Sequence, residues 1–344
     1  MKKVLLFVFV AVSFFIVKTI YDAGEFKTIT NHFEGDCQSI FGIDGPEDIT
    51  ILSNGTALIS SDNRWATLAG RPIQGNIYAY DLVDTKPTLN NLTPNLNFDF
   101  HPHGISVFEA PQHIYVFVVN HKQTSHTIEV FTYAENKLIY YKTISNEKLV
   151  SPNDVVAINE NQFYVTNDHG THSEFTKMIE DYLQLSSSNV LFYDGENFTA
   201  VVDDIKYANG INISPSREIV YVAETIGKQV SLYTRNSDSN ALTFRKSIYM
   251  NTGVDNIELD QDGNLWIGSH PQMLAFTRHA KNKNNLSPSQ VLRVSTDPLP
   301  KNSMDEIYLD TGEILSGSSV SAVYNKHMLI GAVFADHFLH CTLD

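Results

Sequence analysis

The feature that most constrains this chain is a strand pattern that recurs six times, at a period of roughly fifty residues. Each unit holds a polar turn, a strong apolar strand, a loop and a second apolar strand. The pairs are Thr56–Ser60 with Gly75–Asp81, Ile114–Asn120 with Thr127–Tyr133, and Gln162–Asn167 with Asn189–Asp194. They continue as Ile219–Ala223 with Gln229–Thr234, Leu265–Ser269 with Met273–Thr277, and Met328–Val333 with Phe338–Leu343. A weaker strand and a turn rich in Asn, Gly, Asp or Pro come first, as in Asp48–Asn54, Gly104–Gln112, Asp154–Asn161, Asn212–Arg217 and Asn256–Gly263. Short strands broken by turn residues point to a sandwich, barrel or propeller. Two sandwiches would satisfy the strand count but not the evenness. The repeat therefore predicts an all-β, six-bladed propeller with four strands per blade over residues 30–344.

One segment breaks the pattern. Thr171–Leu185 spaces Phe175, Met178, Ile179, Tyr182 and Leu183 along one helical face, with Ser173 and Glu174 at its start. A helical lid on one face of the ring is expected there, packed on the propeller or turned toward a lipid or partner surface.

Both chain ends bear on the compartment. Met1, Lys2 and Lys3 precede an apolar run from Val4 to Val17, the pattern of a signal peptide or uncleaved signal anchor over residues 1–20. Cys37 and Cys341 are the two cysteines, placed near the ends. In an oxidising compartment they suggest one disulfide closing the ring between first and last blades; two unrelated buried thiols are the alternative. Sequons at Asn54, Asn91, Asn197, Asn212 and Asn285 are compatible with a secreted or membrane-anchored glycoprotein on the extracellular or lumenal side. The net charge of −15 leaves no basic face for nucleic acid.

Polar residues then appear where a packed ring should be apolar. At the start of five consecutive innermost strands stand Glu47–Asp48, His103–Gly104, Asn153–Asp154, Asn209–Gly210 and Asp255–Asn256. One such doublet would be a turn. Five at the same phase converge on the axis, where carboxylates without a cation would repel. No set of Lys or Arg shares the phase to neutralise them. Carboxylates and amide carbonyls without thiolates suit Ca²⁺, which takes six to eight oxygens. His103 belongs to the channel phase and His121 ends the strong strand of the same repeat, so both could reach the channel mouth, where His103 is either a base for water or a surface or satisfied core residue.

At these residues the sequence resembles the paraoxonase and arylesterase family of calcium-dependent lactonases. The resemblance lies in Gly45-Pro46-Glu47-Asp48-Ile49, His103-Gly104-Ile105-Ser106, Val118-Val119-Asn120-His121, Asn153-Asp154-Val155 and Thr166-Asn167-Asp168-His169. It continues through Ala208-Asn209-Gly210-Ile211, Val254-Asp255-Asn256-Ile257 and Gly331-Ala332-Val333-Phe334, in the same order along the chain. It implies two calcium ions in the channel. Glu47, Asn153, Asn209, Asp255 and Asn256 would hold a catalytic ion; Asp48, Asp154 and the Ile105 carbonyl would hold a structural one. It also implies His103 as base with His121 as partner, a ring-closing Cys37–Cys341 disulfide, and lipid seating through the leader and the 171–185 helix. Asn167, Asp168, His169 and His270 are candidate pocket residues. Ser269 stands before His270-Pro271 where relatives usually carry a free cysteine, and the stretch from Asn63 to Asn76 matches loosely.

The expected function is hydrolysis of lactones and of aryl or carboxylic esters. A sugar-lactone hydrolase on the same architecture and a non-catalytic calcium-stabilised binding propeller are the rival readings. No Gly-x-Ser-x-Gly elbow supports a serine nucleophile.

Overall fold

The computed structural model describes residues 1–122, 125–296 and 303–343. Its strands form six antiparallel sheets arranged as blades around a central channel. From the axis outward, blade one is Pro46–Ile51, Thr56–Ser61, Asn76–Asp81 and Asn90–Asn91. Blade two is Pro102–Glu109, Ile114–His121, His126–Ala134 and Lys137–Ser145. Blade three is Pro152–Ala157, Phe163–Asn167, Ser188–Tyr193 and Phe198–Ile205. Blade four is Ala208–Ile213, Ile219–Glu224, Gln229–Arg235 and Leu242–Tyr249. Blade five is Gly253–Leu259, Leu265–His270, Ser289–Val294 and Met304–Asp310, with His32–Phe33 added outside.

Blade six shows how the ring closes. Its inner strands are Ser318–Tyr324, His327–Ala332 and His337–Leu343, and its outermost strand is Gly35–Phe41, from before blade one. Cys37 and Cys341 face each other in that pairing and form the disulfide. The bond thus lies inside the last blade rather than between first and last blades, because the N-terminal strand completes that blade.

The apolar side chains divide between the gaps. One hydrophobic cluster fills each of the six gaps between neighbouring blades, such as Phe117, Val119, Phe163 and Val165 between blades two and three. Alternation along each strand sends successive residues to opposite neighbours. This packing leaves the channel to residues near the start of each innermost strand.

Among the described residues four helices accompany the sheets: α1 (Lys2–Asp22), α2 (Arg64–Leu68), α3 (Glu174–Leu183) and α4 (Met273–Lys281). α3 occupies the expected segment, and the Ser173 hydroxyl accepts from the Thr176 N–H at its start. α4 corrects the expected strand at Met273–Thr277; the third strand of blade five is Ser289–Val294 instead. A short apolar run fits either period, and Met, Leu and Ala followed by Arg, His, Ala and Lys favour the helix. α1 buries none of its residues and is long and apolar enough to cross a membrane. Beyond it the chain is fastened to the ring: Ala23 accepts from the Met273 N–H at 2.9 Å, and Glu25 accepts from the Leu274 and Ala275 N–H groups at 2.9 and 3.1 Å.

Candidate active site

Every innermost strand carries a register shift near its start, and the five polar doublets fall inside or beside these bulges. A bulge frees residues from the ladder and re-aims their side chains, so the doublets turn toward the axis. A sixth shift lies between Ser318 and Val320. Its Ser319 hydroxyl donates to the Glu47 carbonyl at 2.5 Å. The signal for it was the Ser318-Ser319 run at the matching phase.

The deeper residues alternate between blades. Asp48 Oδ2 accepts from the Ile105 N–H and Asp154 Oδ2 from the Ile211 N–H, both at 2.8 Å. Each aspartate thus reaches past a glycine, Gly104 or Gly210, into the next blade. Nearer the mouth, Asn256 Nδ2 donates to Glu47 Oε1 at 2.9 Å, joining blades five and one.

Four oxygens at this mouth are buried with no hydrogen-bond partner among the described residues: Glu47 Oε2, Asn153 Oδ1, Asn209 Oδ1 and Asn256 Oδ1. Unpaired buried acceptors are costly, about 1–3 kcal/mol each, so four in one place call for a cation. Among the described residues no three His, Cys, Asp or Glu side chains form a metal cluster by themselves. A cation here must therefore use amide oxygens, which suits a hard ion such as calcium. The electrostatics agree. Burial drives the Glu47 carboxyl up to about 7, with Arg64 opposing and Asp255 reinforcing the rise. Burial and the charges of Asp154 and Glu47 hold Asp48 well above the usual carboxylate range. Asp154 is likewise raised by burial, against hydrogen bonds from Ile211 and Val155.

Arg64 is a site residue that the sequence reading missed. Its Nη2 lies 3.6 Å from Glu47 Oε2, too far for a hydrogen bond. It comes from α2, in the loosely matched stretch after Asn63, and so shares no phase with the doublets. One guanidinium does not balance the carboxylates of Glu47, Asp48, Asp154 and Asp255.

His103 sits beside this mouth, with Nε2 at 3.6 Å from Glu47 Oε1. Its ring meets His121 edge-on, centroids 4.8 Å apart, and burial pushes both imidazoles well below their ordinary range. A cavity of about 300 Å³ opens above them, with Glu47, His103, Asn153, Asn209 and Asp255 at its floor. Its walls are mainly apolar and include Tyr207, Ile226, Leu274, Phe276 and Phe334. Thr19 and Ala23 near the end of α1 and Tyr182 and Gln184 of the α3 segment form part of its rim.

The candidate pocket residues divide. His270 lines the cavity, bonded to Asp255 Oδ2 at 2.8 Å and stacked on Phe276 at 4.0 Å. Asn167 is not among the lining residues; its amide is spent on Ser151, Lys148 and Asn189. Asp168 stands behind Asn153, accepting from its Nδ2 at 3.3 Å. His169 lies between Asp168 at 2.7 Å and Asp181 of α3 at 3.0 Å. Of the sequons, Asn54, Asn197 and Asn285 are exposed and Asn91 is half-buried, whereas Asn212 lies on an innermost strand. Its Nδ2 donates to the Ile257 carbonyl at 2.7 Å, a bond that a glycan there would break.

Comparison with known proteins agrees with this architecture. The family model described as Arylesterase matches residues 25–343. The chain is 37% identical over 320 residues to serum paraoxonase/arylesterase 2 of Rattus norvegicus, spanning 90% of this chain and 89% of that protein. It is 36% identical over 319 residues to serum paraoxonase/arylesterase 1 of Homo sapiens, with coverage of 90% and 89%. Among solved structures it is similar to a luciferin-regenerating enzyme, with a TM-score of 0.56, 11% identity, and coverage of 90% and 95%. A putative gluconolactonase also gives a TM-score of 0.56, with 13% identity and coverage of 90% and 92%. At such identities the last two establish the fold alone.

Proposed function

The chain belongs to the arylesterase family and is a hydrolase of that kind, and on this premise we propose that it hydrolyses lactones and aryl or carboxylic esters with calcium at the channel mouth. One observation carries the reading: a single apolar cavity has, at its floor, buried oxygens without partners and a histidine held neutral by burial.

Glu47, Asn153, Asn209, Asp255 and Asn256 would hold a catalytic ion, and Asp48, Asp154 and the Ile105 carbonyl a structural one. Bound calcium would supply a Lewis acid for the ester carbonyl and a positive charge for the developing oxyanion. His103, neutral at pH 7, takes a proton from water, and His121 fixes its orientation from behind. Asn153 is steadied by Asp168. The walls of Tyr207, Phe276 and Phe334 exclude water and favour the apolar body of a lactone or aryl ester over a polar sugar lactone.

The same reading extends to location. We take the protein as exported, with α1 as an apolar leader or anchor in a lipid surface. α3 joins it there: Phe175, Met178, Tyr182, Leu183 and Leu185 are exposed on and beside that helix. Gln184 binds Asp22 at 3.2 Å, so the two apolar elements flank the cavity rim together.

The test combines chelation with one substitution. Removing calcium should abolish turnover of lactones and phenyl acetate, and adding it back should restore both. His103→Gln should lower kcat by about 10²–10⁴-fold, the range for general-base catalysis, with the fold and calcium binding retained. Unchanged turnover in that variant would sink the catalytic role of His103.

A further inference from the structure

The histidine pair does not end at His121. His121 closes the second strand of blade two, and His126 opens the third strand directly opposite in register. Residues opposite each other on paired strands hold their Cβ atoms about 4.5–5.5 Å apart. The His121 and His126 rings meet edge-on with centroids 4.8 Å apart and planes at 74°, the same separation and angle as His103 and His121. One geometry is therefore used twice, in a ladder running outward from the cavity floor.

One nitrogen of each ring along this ladder is unspent among the described residues. Among the described residues, His103 Nδ1, His121 Nε2 and His126 Nδ1 are each buried without a hydrogen-bond partner. A packed histidine ordinarily satisfies its ring nitrogens. Three consecutive exceptions mark a path along which a proton can be handed over, by ring rotation or through a bridging water. The outer end is partly exposed. His126 faces Lys177 of α3, His172 just before it, and Asp168 of blade three; Arg64 lies by the inner two rings.

The reaction supplies a proton for such a path. In lactone hydrolysis a water oxygen bonds to the acyl carbon and the bond from that carbon to the ring oxygen breaks. The departing alkoxide takes one proton, and the new carboxylic acid ionises at neutral pH. One proton per turnover is therefore released, and a path from His103 to solvent would carry it away from the cavity floor.

We propose that His126 is the outer member of a three-histidine relay, passing the proton released at His103 through His121 to solvent beside α3. His126 touches neither substrate nor metal ligand, so it acts through His121. The proposal rests on His103 as the base, and the experiment separates the two ideas.

The calcium-loaded protein is assayed in dilute buffer with and without added imidazole, as wild type, His126→Gln, His126→Phe and His103→Gln. The Phe variant keeps the ring contact with His121 should Gln loosen the hairpin. Both His126 variants should lose about 10²-fold in kcat in dilute buffer, the low end of what a positioned proton-transfer group supplies. KM and calcium-dependent melting should stay unchanged, and imidazole should restore the rate. Wild-type kcat in dilute buffer would overturn the relay, and so would a loss that imidazole does not rescue, since that marks a structural role. An inactive His103→Gln beside neutral His126 variants removes the relay alone; an active His103→Gln removes the base and the relay together.

Discussion

Gly104 and Asp154 belong to neighbouring blades, and a Cβ on Gly104 would stand 2.5 Å from the Asp154 Cα. Gly210 has the same relation to blade five, where a Cβ would lie 2.7 Å from the Asn256 Cα. These glycines let blade two close on blade three and blade four on blade five, while the Asp48 and Asp154 hydrogen bonds tie the alternate gaps, one to two and three to four. Gly104→Ala should therefore destabilise the fold by about 1–3 kcal/mol, the usual cost of overpacking. It should also weaken calcium retention. Urea unfolding with and without calcium would check both, and a variant as stable and calcium-bound as wild type would contradict the account.

The Cys37–Cys341 disulfide closes a sequence separation of 304 residues within one blade. Loop-entropy arguments assign such a closure roughly 5 kcal/mol. Replacing Cys341 by Ser should lower the denaturant midpoint strongly and leave the strand pairing of Gly35–Phe41 without its covalent clasp. Cys341 is fully buried in the cluster between blades five and six, so the hydroxyl adds its own penalty. Comparison with reduced wild type separates the two contributions.

His169 supplies a pH signature. Burial pulls its imidazole down, but hydrogen bonds to Asp168 and Asp181 prevail and raise it to about 10. A histidine raised on folding stabilises fully below its unfolded value near 6.5, and that stabilisation is lost as pH climbs through the folded value. His169→Gln should cost about 1.5–3 kcal/mol at neutral pH, as for hydrogen bonds to charged groups. The difference from wild type should shrink toward zero above pH 10. A difference that stays flat from neutral to alkaline pH would deny the ion pairing. Tyr207, edge-on to His169 at 4.9 Å, stays uncharged over this range because burial raises its hydroxyl well above 10.

Phe276 joins the stack on His270 to the apolar wall. Phe276→Ala should weaken aromatic esters relative to small aliphatic lactones by about 10–200-fold in kcat/KM, the worth of a modest apolar contact. Kinetics on phenyl acetate and a short aliphatic lactone would read this directly. Equal losses on both substrates would indicate a disturbed His270 rather than a lost wall.

The doublets were legible because the same local chemistry recurs at one phase of each repeat, and a bulge at each strand start turns that phase inward. Ser319 escaped because a serine pair carries no charge to mark it. Arg64 and His126 escaped for another reason. Arg64 reaches Glu47 from a short helix outside the repeat, and His126 matters only because hairpin register sets it against His121. Neither relation can be read from spacing along the chain. Met273–Thr277 was misread because five residues of apolar run do not separate a period of 2 from one of 3.6.

By itself, the sequence determined the sixfold repeat, the axial oxygen donors and the amphipathic α3 segment. Each depends on residue type at a regular spacing, which the backbone geometry of strands and helices converts into a face or a phase. Only the tertiary structure decided that the disulfide lies within blade six and that α1 and α3 flank one cavity. It alone set four unpartnered oxygens at the channel mouth and, beside them, three histidines meeting edge-on. Those relations join residues up to three hundred positions apart, and their distances are set by how blades pack and where the ring closes, which local preference along the chain does not specify.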